Sequence, residues 1–477
     1  LTEKLLFLTG RLARPRLEAT LAAMAPAFAY EILDVGVKVA ALMTEAILMN
    51  RLPRPLNAAR AILPGRSRAD LDRLSAAFGV RFERGPDELK DLPAYFGKRG
   101  GPPDLSGHDL RIFAEIVEAS TISLDALSAR AAALRAAGAD VIDLGALPDT
   151  PFPGLEAAVR RLKAEGFTVS VDSANADELR RGAASGADYL LSLTEHTLDI
   201  AAGTRARPVL IPASHGDLDS LLRADAEARA RAIDPILDPI LDPIHFGFTE
   251  SLQRYRELRA RAPQAEIMMG TGNLTELTEA DSAGVTAMLL GVCSELRIAN
   301  VLTVQVSPHT RRTVQEHDAA RRLFFAARRD GSLPKGYGSA LLQIHDRAPF
   351  PSGAEEIAAA ASQVKDRNFR IEVAADGLHV FNNQGHWIAQ DAFSLFDELG
   401  VARDGAHAFY LGAELQKAEI AFRLGKRYVQ DEPLDWGVAA DRPEEDRTRL
   451  AEAGHTLRGK GEAAPGGARP AAGPRES

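Results

Sequence analysis

Between about residues 108 and 330, strand-like and helical runs alternate almost without interruption, and no other feature of the chain constrains its fold as tightly. The strand-like runs are Arg111 to Ala119 (RIFAEIVEA), Val141 to Gly145 (VIDLG), Thr168 to Ser173 (TVSVDS) and Tyr189 to Leu193 (YLLSL). Four more follow: Pro208 to Pro212 (PVLIP), an Asp-Pro-rich run near Ile233 to Ile244, Glu266 to Gly270 (EIMMG) and Val301 to Val306 (VLTVQV). Helical patterns lie between them, and Gly138, Gly166 and Gly186 stand where helix C-caps are expected. Eight strand-helix units in this length predict a closed (β/α)8 TIM barrel, closed by a last helix over 312–328. Barrels of this class collect their chemistry at the C-terminal strand ends, so those ends can be read together.

They are rich in polar residues. The third run ends on Asp172, with Ser170 on the same face and Val169 and Val171 on the other. Asp172 fits two roles at this stage, an N-cap for the next helix or a functional carboxylate. Glu118 and Ser120 follow the first run, and Asp143 lies near the end of the second. Ser192, Glu195 and His196 follow the fourth, Ser214 and His215 the fifth, Asn273 the seventh, and Ser307 and His309 the eighth. The sixth run repeats D-P-I-L, D-P-I-L, D-P-I-H, which places Asp234, Asp238 and Asp242 four residues apart. Proline at that spacing excludes an ordinary α-helix. Three such carboxylates do not fit one small pocket, so one or two are expected to be functional and the rest to be turn or surface residues.

The flanks bound the rest. With 477 residues the chain is expected to hold more than one domain. Residues 1–105 predict a small α/β domain of Rossmann or flavodoxin-like type with a parallel sheet. It lacks G-x-G-x-x-G and the P-loop pattern, and reads as a docking or lid domain. The Gly- and Pro-dense segment Gly97 to His108 reads as a linker. Residues 335–453 predict an α+β domain with short strands around turns at Asp376-Gly377 and Gln384-Gly385 and a helix over 413–424. The tail 454–477 has a disordered composition. A net charge of -9 argues against a nucleic-acid partner. No signal-peptide pattern or membrane-length apolar stretch is evident, and a single cysteine, Cys293, excludes an internal disulfide; a cytoplasmic location is the expectation.

The strand ends resemble the pterin-binding barrel family, above all dihydropteroate synthase, with folate-dependent corrinoid methyltransferases as cousins. V-S-V-D-S resembles the motif whose Asp binds the pterin ring, which implies that role for Asp172. D-L-G resembles the start of the second-strand motif at Asp143, and the Asp-Pro run before Phe246-Gly247-Phe248 resembles a segment whose Asp also contacts pterin, pointing to Asp238 or Asp242. Ser192 joins this pterin set. I-V-E-A-S falls where the synthases place an Asn that helps hold magnesium and diphosphate, which implies a metal role for Glu118 and Mg2+ as cofactor. The usual Ser-Arg-Lys after the seventh strand is replaced by Gly-Thr-Gly-Asn, and the cousin methyltransferases carry a pterin-contacting Asn near Asn273. Thr303 and Gln305 replace the eighth-strand Arg-x-His, leaving His309, Arg311 and Arg312 as the expected catalytic cations.

The three-part layout resembles dihydropteroate-synthase-like proteins of methanogens and methylotrophs linked with tetrahydromethanopterin synthesis. That resemblance implies joining a dihydropterin-CH2 diphosphate to an aryl amine, a ribosylaminobenzene phosphate, with release of pyrophosphate, and it allows a homodimer. Residues 407–431 (HAFYLGAELQKAEIAFRLGKRYVQD) resemble a domain related to methanopterin methyltransferase subunits. Two other readings stay open: a methyltransferase using a pterin-bound methyl group, and a non-catalytic pterin carrier or scaffold.

Overall fold

The computed structural model describes residues 3–38, 40, 43–86, 89–97, 103–147 and 150–441. They form two compact units, 1–109 with 321–338 and 110–320 with 339 onward.

The first unit carries four parallel strands, β1 (Lys4–Thr9), β2 (Ala29–Asp34), β3 (Arg60–Leu63) and β4 (Arg81–Arg84), in the order β2-β1-β3-β4. Leu5 and Phe7 face one side of the sheet, and Leu6 and Leu8 the other, so β1 is buried on both faces as its continuous apolar run requires. The expected linker is in part a packed segment. Leu105 joins a cluster with Leu323, Ala326, Ala327 and Tyr337, and Arg322 Nη1 donates to the Ser106 carbonyl at 2.7 Å. These contacts lie within the first unit, to which residues 321–338 belong.

The second unit is built on a closed ring of eight parallel strands. They are β5 (Arg111–Ile116), β6 (Val141–Gly145), β7 (Val169–Asp172), β8 (Tyr189–Leu193), β9 (Arg207–Leu210), β10 (Ile236–Leu237), β11 (Glu266–Gly270) and β12 (Asn300–Val304). The expected (β/α)8 barrel is therefore the observed one. Alternation along each strand sends Phe113, Val141, Tyr189, Leu191, Val209, Ile236 and Met268 into the interior, where they pack as one cluster. At the N-terminal end Glu266 closes the barrel: it pairs with Arg111, accepts from Arg207 Nη1 at 2.7 Å and from Asn300 Nδ2 at 2.9 Å. β10 is only two residues long because the prolines on either side of it have no N–H for the ladder.

The same unit continues into an antiparallel sheet of β13 (Arg370–Ala374), β14 (Gly377–Asn382) and β15 (Gly385–Ala389). The helix Gly405–Leu424 packs on one face through Leu411, Leu415 and Ala418, and Ala354–Ala361 packs on the other through Ile357. That long helix starts eight residues before the expected one, where Asp404 caps it by accepting from the His407 amide. Residues 442–453 of the expected domain and the tail 454–477 lie outside the described residues. Among the described residues no helix is long and apolar enough to cross a membrane.

Gly182, in the helix Ala176–Ala184, lets that helix approach β7: a Cβ there would lie 2.9 Å from Val171 Cγ2. Val171 is fully buried and β-branched, so it cannot turn aside. Gly182→Ala is expected to lower stability by about 1–3 kcal/mol, read as a lower urea midpoint. Adding Val171→Ala should recover part of the loss; strict additivity of the two changes would contradict the contact.

Candidate functional site

The C-terminal mouth of the barrel is lined by carboxylates. Register places Asp143 opposite Glu115 and Gly145 opposite Asp172. Phe113 and Val141 point inward, so Glu115 and Asp143, two residues further along, point inward too and nearer the mouth. Asp143 is wholly buried; its Oδ1 accepts from Ser170 Oγ at 2.5 Å, and its Oδ2 has no hydrogen-bond partner. Glu115 reaches over Gly145, into the space a Cβ there would fill. Asp172 Oδ1 accepts from Ser192 Oγ at 2.9 Å.

That last bond depends on an irregularity in β8. Leu191 faces the interior, so regular alternation would turn Ser192 away from it. Ser192 instead has φ 69°, and the β8–β9 register shifts between Leu190 and Leu193. A left-handed non-glycine residue costs on the order of 1 kcal/mol. Here that strain brings the hydroxyl onto Asp172.

Asp238 stands after β10. It is 8% exposed, and its Oδ1 accepts both the Tyr255 hydroxyl and the Ile240 amide at 2.8 Å. Asp242 is held differently, accepting from Arg254 Nη2 at 2.6 Å and lying 3.1 Å from His215 Nε2. Arg254 also donates to the Ile240 carbonyl at 2.8 Å, and Asn273 Nδ2 donates to the Leu241 carbonyl at 2.7 Å. Asp242 and Asn273 thus brace the loop that presents Asp238. Asp234 is exposed beside Arg207, at the opposite end of the barrel. The Asp-Pro repeat therefore divides into one mouth carboxylate, one loop brace and one surface residue.

The electrostatics follow from burial without neutralisation. Burial, then the Asp172 charge, pushes the Glu115 carboxyl up to about 7. Burial, with Asp172 and Glu115 adding to it, holds Asp143 well above the usual carboxylate range. Burial also raises Asp172 against the opposing Ser192 hydrogen bond, and lifts Asp238 to about 6 despite the Ile240 and Tyr255 hydrogen bonds. Among the described residues no lysine or arginine pairs with Glu115, Asp143 or Asp172.

The expected residues divide accordingly. Asp143, Asp172, Ser192 and Asp238 come together, while Asp242 and Asn273 support them. Glu118 lies in an exposed turn beyond β5, outside this group; Glu115, three residues earlier, occupies the inward position. His309 Nε2 donates to the Thr275 carbonyl at 3.1 Å, and Arg312 donates to the Val438 carbonyl at 2.9 Å and to Asp441 at 2.7 Å. Arg311 is exposed and donates to the Pro308 carbonyl at 3.2 Å. Glu276 was not expected: it accepts from the Val306 and Ser307 amides and the Thr310 hydroxyl, fixing the loop after β12. Among the described residues no three His, Cys, Asp or Glu side chains converge as a metal site.

Residues 3–87 match a family of unknown function, DUF6513, and residues 387–431 match the family PterinBD-DUF4346. An uncharacterized protein of Methanocaldococcus jannaschii is 28% identical over 364 residues, covering 68% of this chain and 69% of that protein. Among solved structures, Yersinia pestis dihydropteroate synthase with a pterine-sulfa conjugate aligns at 18% identity and TM-score 0.37, over 47% of this chain and 95% of that one. The Thermus thermophilus enzyme in complex with 6HMPPP aligns at 20% identity and TM-score 0.37, over the same shares.

Glu115 gives the mouth a pH signature. Its carboxyl ionises near 4.5 in the unfolded chain and near 7 in the fold, so the folded state holds the extra proton between those values. The associated stability is complete below about 4.5 and is lost as pH rises through about 7. Glu115→Gln is therefore expected to flatten the loss of stability between pH 5 and 8 by on the order of 2 kcal/mol. Parallel urea-derived pH profiles for the two proteins would contradict the assignment.

Proposed function

We propose that the barrel is a pterin-using transferase that joins a dihydropterin-CH2 diphosphate to an aryl amine and releases pyrophosphate. The observation that carries the reading is the pair Asp172, at the tip of β7, and Asp238, just after β10, each steadied by a hydroxyl and open to an incoming donor. A pterin offers matching groups, a 2-amino and N–H edge on the pyrimidine and a further ring N–H, and a carboxylate accepts such donors strongly when water is excluded. In the ring of eight β10 stands three strands from β5 one way round and three strands from β7 the other. A pterin whose amino edge meets Asp238 and whose ring N–H meets Asp172 then directs its methylene end toward β5. The match of 387–431 to PterinBD-DUF4346 supports a pterin context. A ribosylaminobenzene phosphate as acceptor, in tetrahydromethanopterin-type coenzyme synthesis, is the finer form of this proposal and rests on the resemblance read in the sequence.

The departing diphosphate needs positive charge. Arg311 is an exposed cation in the segment after β12. Magnesium commonly binds through one or two carboxylates together with substrate phosphates, and Glu118 at the rim fits the single protein ligand of such an arrangement. Bound there, the ion would neutralise charge on the leaving diphosphate. A second reading, a pterin carrier without turnover, is favoured by His309 and Arg312 both being engaged with backbone or carboxylate partners.

Calorimetric titration with 6-hydroxymethyl-7,8-dihydropterin diphosphate, with and without Mg2+, followed by addition of 4-aminobenzoate as probe amine, separates the two. Amine-dependent pyrophosphate release is expected for the transferase; tight binding without release selects the carrier. Asp172→Asn should reduce pterin affinity by at least about 100-fold, the loss of a charge-assisted buried pair, while the unfolding transition is retained. Undiminished affinity would refute the pocket.

A further inference from the structure

Among the described residues, Glu115 is the one carboxyl of the group Glu115, Asp143, Asp172 and Asp238 that neither the pterin contacts nor the hydrogen-bond network uses. Its position follows from two features of neighbouring strands. Alternation along β5 turns it inward, and Gly145 on β6 leaves empty the space where any other residue would place its Cβ. The Glu115 carboxylate occupies that space and comes beside Asp172, the Cα partner of Gly145. Among the described residues it makes no hydrogen bond or ion pair, and it remains partly exposed at the mouth.

We propose that Glu115 is the proton acceptor of the transfer step. The inference rests on the pterin-transfer reading above. The amine nitrogen uses its lone pair to bond the pterin methylene carbon, and the carbon–oxygen bond to the diphosphate breaks with its electron pair leaving on the diphosphate oxygen. The nitrogen then carries a positive charge and one proton too many. That proton passes to a Glu115 oxygen, leaving a neutral secondary amine, and Glu115 later returns it to water.

The other mouth carboxylates are poorly placed for this. Asp143 is wholly buried beneath the mouth. Asp238 is spent at Oδ1 on Tyr255 and Ile240 and lies on the amino-edge side, three strands round the ring from β5. Asp172 is held by Ser192 and faces the ring N–H. Glu115 is on the side to which the methylene is directed. Burial and the Asp172 charge hold its carboxyl near neutrality, where a group can both take up and release a proton.

The test compares wild type, Glu115→Gln and Gly145→Ala. Each is measured for affinity by calorimetry with the pterin diphosphate and for 4-aminobenzoate-dependent pyrophosphate release between pH 5.5 and 9. Glu115→Gln is expected to bind within about 3-fold of wild type, to lose at least about 100-fold in turnover, and to lose the acidic limb near pH 7. Gly145→Ala keeps the carboxyl but displaces it by the new Cβ, so it should bind normally and turn over more slowly. Turnover and pH profile unchanged in Glu115→Gln would overturn the role while leaving the pterin reading intact. A wild type that fails to bind the pterin, or binds it without amine-dependent release, would overturn the transfer reading and the role with it.

Discussion

The mouth of this barrel is organised by a repulsion. Glu115, Asp143 and Asp172 crowd the tips of three consecutive strands, with Asp238 across from them, and no cation pairs with the first three among the described residues. Burying like charges without partners is unfavourable, and the groups respond by holding protons to higher pH. Hydroxyls from Ser170, Ser192 and Tyr255 fix the carboxylates in place without neutralising them. The result is a mouth whose first three carboxylates have no cationic partner among the described residues, an arrangement suited to a ligand that brings N–H donors.

Holding this arrangement requires departures from regular barrel geometry. Ser192 takes a left-handed backbone so that its hydroxyl reaches Asp172, and Ile240 does the same, φ 67°, as its amide reaches Asp238. Gly145 gives up a side chain so that Glu115 can lie beside Asp172. Arg254 and Asn273 tie down the Asp-Pro loop through its carbonyls. Each of these is tolerable because the lower barrel is tightly packed and sealed at its other end by Glu266 and its arginine partners.

Much of this was legible in the sequence, and the exceptions have physical causes. The alternation of strand and helix patterns was sufficient for the barrel, and an acid at the end of V-S-V-D-S was sufficient to mark Asp172. The resemblance of I-V-E-A-S points to Glu118, yet β5 ends at Ile116 and the chain then turns, so the inward face belongs to Glu115. Counting by twos from Phe113 would have found it. No local pattern announces the Ser192 irregularity, which is fixed by pairing with β9. The engagements of His309 and Arg312 are long-range as well, with partners 34 and 126 residues away in sequence. Tyr255 and Glu276 act through tertiary contacts that helix and loop patterns do not encode.

The central claim is that Asp172 and its neighbours receive the donor groups of a pterin in their ionised form. Binding should then lower their raised pKa values and expel protons. The most direct measurement is calorimetric titration with 6-hydroxymethyl-7,8-dihydropterin near pH 6, repeated in two buffers of different ionisation heat. Binding accompanied by proton release, and weakened with its proton release in Asp172→Asn, is the predicted result. Binding heats that are the same in both buffers, or net proton uptake, would contradict it.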